Sequence, residues 1–201
     1  SGLNALNRLA SVSLSPDKKT QVLSAIGDVQ LRRQDYATAE QAYAQAERAA
    51  GSHPRAWLRP AIGQIIAFLK NLQTDAAWEK ARKTLEVAIA AEQGLATTIE
   101  QAEQLVASGG TASFEGLPHR HSYVGFRLGN LFLHEGYVEI AETIFRETLA
   151  HNPKGATRCR IGLAEVAVHQ KHWPLASDLA LDALQVGKCR AKTLSAIPLY
   201  I

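Results

Sequence analysis

The sequence predicts an all-α fold, an α-solenoid of antiparallel helix hairpins with an irregular middle segment, and three observations carry that expectation. The first is internal repetition. Leu128-Gly129 followed by Ala141, Phe145 and Pro153 is echoed, thirty-five residues on, by Leu163-Ala164 followed by Ala176, Ala180 and Ala183. The second is composition: Ala, Leu, Gln, Glu and Arg are frequent and aromatics are only 6% of the chain, which favours helix over strand. The third is apolar spacing at helical period through most of the 201 residues. A hairpin of this size cannot bury its apolar face alone, so such units stack and present an extended surface.

Residues 1–54 read as an N-terminal helix followed by a first hairpin. Ser15-Pro16 is a helix start, with Ser at the N-cap and Pro at the first helical position, where its missing N–H costs nothing. Val22, Ile26, Val29 and Leu31 then mark an amphipathic stretch to about Arg33, and Asp35 opens the turn. Ala39, Ala42, Tyr43 and Ala46 share one face of the returning helix, which Gly51 and Pro54 stop. Gly27 and Ala39 suit a close helix approach, with Tyr43 filling the gap above them.

Residues 55–118 form the irregular middle. Trp57 and Leu58 lead into a stripe of Ile62, Ile65, Ile66 and Leu69, and Pro60 is expected to delay or kink that helix. Thr74-Asp75 caps a further helix carrying Trp78, Ala81, Leu85, Ala88 and Ile89. Gly94, then Thr97 with Glu100 three residues on, reads as a break and a capping box opening a shorter helix to about Ala107, with one long bent helix as the alternative. Residues 108–118 are turn-formers and read as a loop. Residues 119–201 read as two further hairpins, with helices near 119–134, 138–150, 156–170 and 174–186, and a capping helix over 190–201.

Composition narrows the function classes. Net charge is +3, from 22 Lys and Arg against 19 Asp and Glu, and neither half of the chain carries a basic arm, so nucleic acid is not the expected partner. A locally basic C-terminal quarter suits an acidic partner. Two cysteines, Cys159 and Cys189, make neither a disulfide framework nor a paired-Cys metal site. No apolar run of about eighteen residues predicts a membrane span. The expected setting is cytoplasmic, with a periplasmic protein after signal removal as the alternative. The Ser1-Gly2 start and the absence of Met suggest a domain of a longer protein.

With these residues in view, the chain resembles the tetratricopeptide repeat family. Ile26-Gly27, Ala39, Tyr43 and Ala46 carry the resemblance in the first hairpin, Leu128-Gly129, Phe132, Gly136-Tyr137, Ala141, Phe145 and Pro153 in the third, and Leu163-Ala164, Ala176 and Ala183 in the fourth, where Ala180 replaces the usual aromatic. Residues 55–118 depart from the pattern, since Gly63 and Ala81, taken as the small-residue pair, lie about six residues too far apart. The resemblance implies a right-handed superhelical stack whose first helices line a concave groove that holds a peptide or helix. Carried over, the groove positions are Asp28, Leu31, Tyr123, Arg127, Asn130, His134, Arg158, Glu165 and His169. With Ser24 and Asp28 where some members place a carboxylate clamp, that chaperone-tail mode is not expected.

Arg127, Asn130 and Arg158 suit an acidic segment, because guanidinium groups present a fixed fork of donors and Asn can bond an extended backbone; the plainer alternative is ordinary solvated helix residues. Six of the seven histidines lie between 119 and 172, but histidine at a helix C-terminus is favoured by the dipole, and no metal or cofactor is expected. Trp57, Trp78 and Trp173 read as packing residues, and Cys159 as a packed thiol. No phosphate-binding loop, nucleophile elbow, zinc-protease or dinucleotide motif occurs. The expectation is a non-catalytic protein-binding scaffold. The alternatives are a regulatory or targeting domain of a larger enzyme, a self-association module forming homo-oligomers, and RNA binding.

Overall fold

A computed structural model describes residues 2–51, 56–107, 120–153 and 156–187, with side chains described outside 95–107 and 186–187. The described residues form nine helices and no strands: α1 (Gly2–Ala10), α2 (Pro16–Arg32), α3 (Tyr36–Ala50), α4 (Leu58–Lys70), α5 (Thr74–Ala107), α6 (His121–His134), α7 (Val138–His151), α8 (Thr157–His169) and α9 (Trp173–Gly187). The chain divides into two compact units, Ser1–Arg120 and His121–Ile201. The loop expected at 108–118, the capping helix at 190–201, Pro54, His119 and Cys189 lie outside the described residues.

Within the first unit α2 packs on α3, α3 on α4 and α4 on α5, while α1 lies against α2. Within the second, α6 packs on α7, α7 on α8 and α8 on α9. The first helices of successive hairpins also touch, α2 with α4 and α6 with α8. What holds each pair is an aromatic ring seated between two glycines. Tyr43, almost fully buried on α3, lies where a methyl added to Gly27 would sit 2.7 Å from its ring, and one added to Gly63 on α4 would overlap it further. Phe145 on α7 is held in the same way between Gly129 on α6 and Gly162 on α8. Glycine lets both neighbouring backbones close on the ring, which excludes water and fills the inter-helix space.

The four hairpins close with one turn geometry. Gln34, Leu72, Gly136 and Lys171 take positive φ, at +62°, +58°, +86° and +61°. In each turn the next residue's N–H reaches six residues' span back to a helix carbonyl: Asp35 to Gln30, Gln73 to Phe68, Tyr137 to Phe132, and His172 to Ala167, at 2.8–3.0 Å. This is the left-handed helix termination that satisfies the last carbonyls. The residue that ends the turn then accepts the first bond of the returning helix, from Ala39, Ala77, Ala141 and Ala176.

That register corrects the reading of the middle segment. Gly63 is not the small residue facing its own hairpin; it faces the preceding one through Tyr43. The positions matching Ala164 and Ala176 are Ile65 and Ala77, so Gly63, Ile65, Ala77, Ala81 and Thr84 correspond at one constant offset to Gly162, Ala164, Ala176, Ala180 and Ala183. Ile65, Ala77 and Ala81 are fully buried. A second correction concerns α5, which runs unbroken through Gly94, Thr97 and Glu100. One helical Gly costs only about 1 kcal/mol, and the flanking Ala, Leu, Glu and Gln sustain the helix. Pro60 falls in the first turn of α4, where no intrahelical N–H bond is lost, so it neither breaks nor displaces the helix. Ser15 sits at the N-cap of α2 without a capping side-chain bond, whereas Asp35 caps α3 through Thr38 N–H at 3.2 Å. Trp57 is buried as expected, but Trp173 is 62% exposed and does not pack.

Candidate functional site

The first helices of the hairpins carry every residue expected at the groove, and the two units treat them differently. In the first unit Asp28 is consumed internally. It accepts a hydrogen bond from the Tyr43 hydroxyl at 2.6 Å and an ion-paired bond from Arg59 of α4 at 2.7 Å. Burial, the carboxylate bond and its charge push the Tyr43 phenol far above its ordinary value, so the hydroxyl stays a donor to Asp28. Leu31 packs against Ala39, Tyr43 and Ala67. These two positions therefore tie helices together.

In the second unit most of the corresponding side chains are exposed. Tyr123, Phe126, Arg127, Asn130 and His134 lie on α6, and Arg158, Glu165 and His169 on α8. The Arg127 guanidinium lies 6.0 Å from the Tyr123 ring centroid and donates to its hydroxyl at 3.2 Å. Arg158 reaches across from α8 to stand 5.6 Å over the Phe126 ring. Contact with a ring face holds the Arg158 guanidinium and leaves its N–H edges for a ligand, whereas Arg127 already gives one N–H to the Tyr123 hydroxyl. Neither arginine has an ion pair among the described residues. Asn130 holds its side-chain carbonyl oxygen in a buried position with no hydrogen-bond partner among them.

Toward the other end of the face stands one carboxylate, Glu165, with His134 and His169 nearby. Glu165 keeps solvent access, yet its desolvation between the helices raises its carboxyl from the ordinary value, offset in part by His134 and His169. So Tyr123 and Arg127 meet along the first half of α6, Arg158 at the start of α8 meets Phe126, and Glu165 lies near His134 and His169 toward the C-terminal ends.

Two contributors escaped sequence reasoning. Phe126 reads as core by its spacing but is half-buried and carries Arg158; Arg59, beside Pro60, is the partner of Asp28. Their signal was positional. Arg59 corresponds to Arg158, and Asp28 to Asn130, in the register of the four turns. Where the first unit pairs aspartate with arginine, the second has Asn and Arg, and the cation has no ion pair among the described residues.

Cys159 is fully buried, and burial pushes its thiol up to about 12 against the lowering effect of Thr148 and Arg160, so it is a packed, unreactive group. Among the described residues no cluster of three or more His, Cys, Asp or Glu is placed to hold a metal, and no helix is long and apolar enough to cross a membrane.

No family model matches the chain, and no curated protein does. Among solved structures it is similar to BtubC (BKLC) from P. vanneervenii, with a TM-score of 0.51 and 16% identity over 92% of this chain and 70% of that one. The likeness is one of fold alone. It supports a helical repeat-like, all-α architecture for this chain.

Proposed function

We propose that the chain is a non-catalytic scaffold of tetratricopeptide-like hairpins stacked as a right-handed solenoid, and that the α6–α8 face binds a peptide segment of another protein. The observation that carries this reading is the pair of exposed arginines, Arg127 and Arg158, held against the Tyr123 and Phe126 rings with no ion pair among the described residues. Groups held by aromatic planes are pre-organised, which lowers the ordering cost of binding. Asp28 and Leu31, bound up within the first unit, are assigned to structure and not to ligand.

The test is affinity capture from extract of the source cell with the wild-type chain and with Arg127→Glu/Arg158→Glu. Both arginines are exposed, so the variant is expected to fold. A partner held by the wild type and lost by the variant supports the reading. A partner retained equally by both moves the binding site off this face.

A further inference from the structure

Along the α6–α8 face charge is ordered, and that order specifies a ligand. The contacts fix the direction of the two helices: Arg158 meets Phe126 near their beginnings and Glu165 senses His134 near their ends, so α6 and α8 run side by side in the same sense. Arg158 therefore stands at a cationic end, with Arg127 farther along the face on α6, and Glu165 stands beyond them as the anionic group. None of the three is ion-paired among the described residues, whereas the equivalent arginine of the first unit, Arg59, is closed off by Asp28. Arg158 and Glu165 stand seven residues apart on one helix, about 10 Å along its axis. An extended chain covers that distance in about three residues.

We infer that the α6–α8 face takes an extended peptide in which an acidic side chain is followed or preceded, about three residues away, by a lysine or arginine: the carboxylate lies against Arg127 and Arg158, and the cation against Glu165. This rests on the peptide-binding reading and adds to it the charge order of the partner. Chain direction along the face is left to the peptide, since only the positions of its charges are matched. The half-exposed Phe126 and Tyr123 rings accommodate apolar side chains between and beside those charges.

The experiment uses the 201-residue chain and two fluorescein-labelled dodecapeptides of identical composition. In one, paired glutamates and paired lysines are separated by two leucines; in the other, the glutamates stand at one end and the lysines at the other, so that no glutamate lies near three residues from a lysine. Anisotropy titration at low salt is expected to show the ordered peptide bound about fivefold or more tighter, the scale of two to three exposed ion pairs. Glu165→Lys is expected to erase that preference and to strengthen binding of an all-glutamate peptide, while Arg127→Ala/Arg158→Ala weakens both glutamate-bearing peptides. Unchanged far-UV circular dichroism and melting of the variants show that they fold. If the two peptides bind equally and the arginine variant weakens them equally, charge ordering is overturned while the peptide-binding reading stands. If neither peptide shifts the NMR signals of Tyr123, Phe126 and Asn130, the inference fails, and the capture experiment separately decides the broader reading. Preferential binding of a single-stranded oligouridylate at this face would overturn both.

Discussion

Tyr43 and Phe145 show how single residues set the spacing of the hairpins. Each ring touches one glycine in its own hairpin and one in the next, so a methyl group there has no room. Gly129→Ala is expected to lower stability by about 1–3 kcal/mol, because overpacking outweighs the helix propensity gained. Gly94→Ala, on an exposed helical site with nothing within 4 Å of the added carbon, is expected to raise it by about 0.5–1 kcal/mol. Urea midpoints of the two variants check both signs. A residue-scale pH effect follows from Cys159. Its folded-state value, about 12, lies above the ordinary thiol value near 9, so the folded chain keeps a proton that the unfolded chain releases. Stability is therefore full below about pH 9 and declines as pH rises toward about 12, by about 1.4 kcal/mol per unit for one such group. Urea midpoints from about pH 8 to about pH 10.5 are expected to fall, with a shallower fall in Cys159→Ala.

At the scale of elements, the turns are more uniform than the sequence looks. Positive φ is held by Gly only at Gly136; Gln34, Leu72 and Lys171 adopt it with a Cβ, at a cost of about 1–2 kcal/mol each. Leu72, 85% exposed, is the clearest case, and Leu72→Gly is expected to raise stability by up to about 1 kcal/mol while Gly136→Ala lowers it by a similar amount. Thermal melts of the two variants, read side by side, check the opposite shifts. These turns also explain what the sequence could and could not disclose. The first, third and fourth hairpins were legible because Gly27 with Ala39, Gly129 with Ala141 and Ala164 with Ala176 repeat one spacing of small residues. The second hid because Ile65 fills the small-residue slot that Gly or Ala occupies in the other three. The conspicuous Gly63 belongs to the contact with the hairpin before it. The continuation of α5 through a capping-box pattern shows that Thr and Glu at the right spacing do not start a helix where the preceding residues already propagate one.

At the scale of the whole molecule, the two units carry related hairpins with different roles for the same register position. Asp28 with Arg59 is a clasp between helices; at the matching positions Asn130 and Arg158 form no ion pair, and Arg158 lies over Phe126 instead. Residue types at the groove were legible from the resemblance, but their state was not, because pairing depends on which side chain a neighbouring hairpin supplies. Tyr43→Phe is expected to cost about 1–2 kcal/mol by removing a charge-assisted hydrogen bond to Asp28, without affecting ligand binding by the other unit. Equal affinity of this variant and the wild type for a captured partner, with a lower urea midpoint, checks that division of labour.

Whether a partner sits on the α6–α8 face is decided by site-specific photo-crosslinking in extract of the source cell. p-Benzoylphenylalanine is placed at Asn130 on that face and, separately, at Glu147, which is exposed on α7. The expected result is an adduct to a protein partner from position 130 that Arg127→Glu/Arg158→Glu abolishes, with none from 147. Adducts from 147 and none from 130 would contradict the account and place binding on the opposite helices.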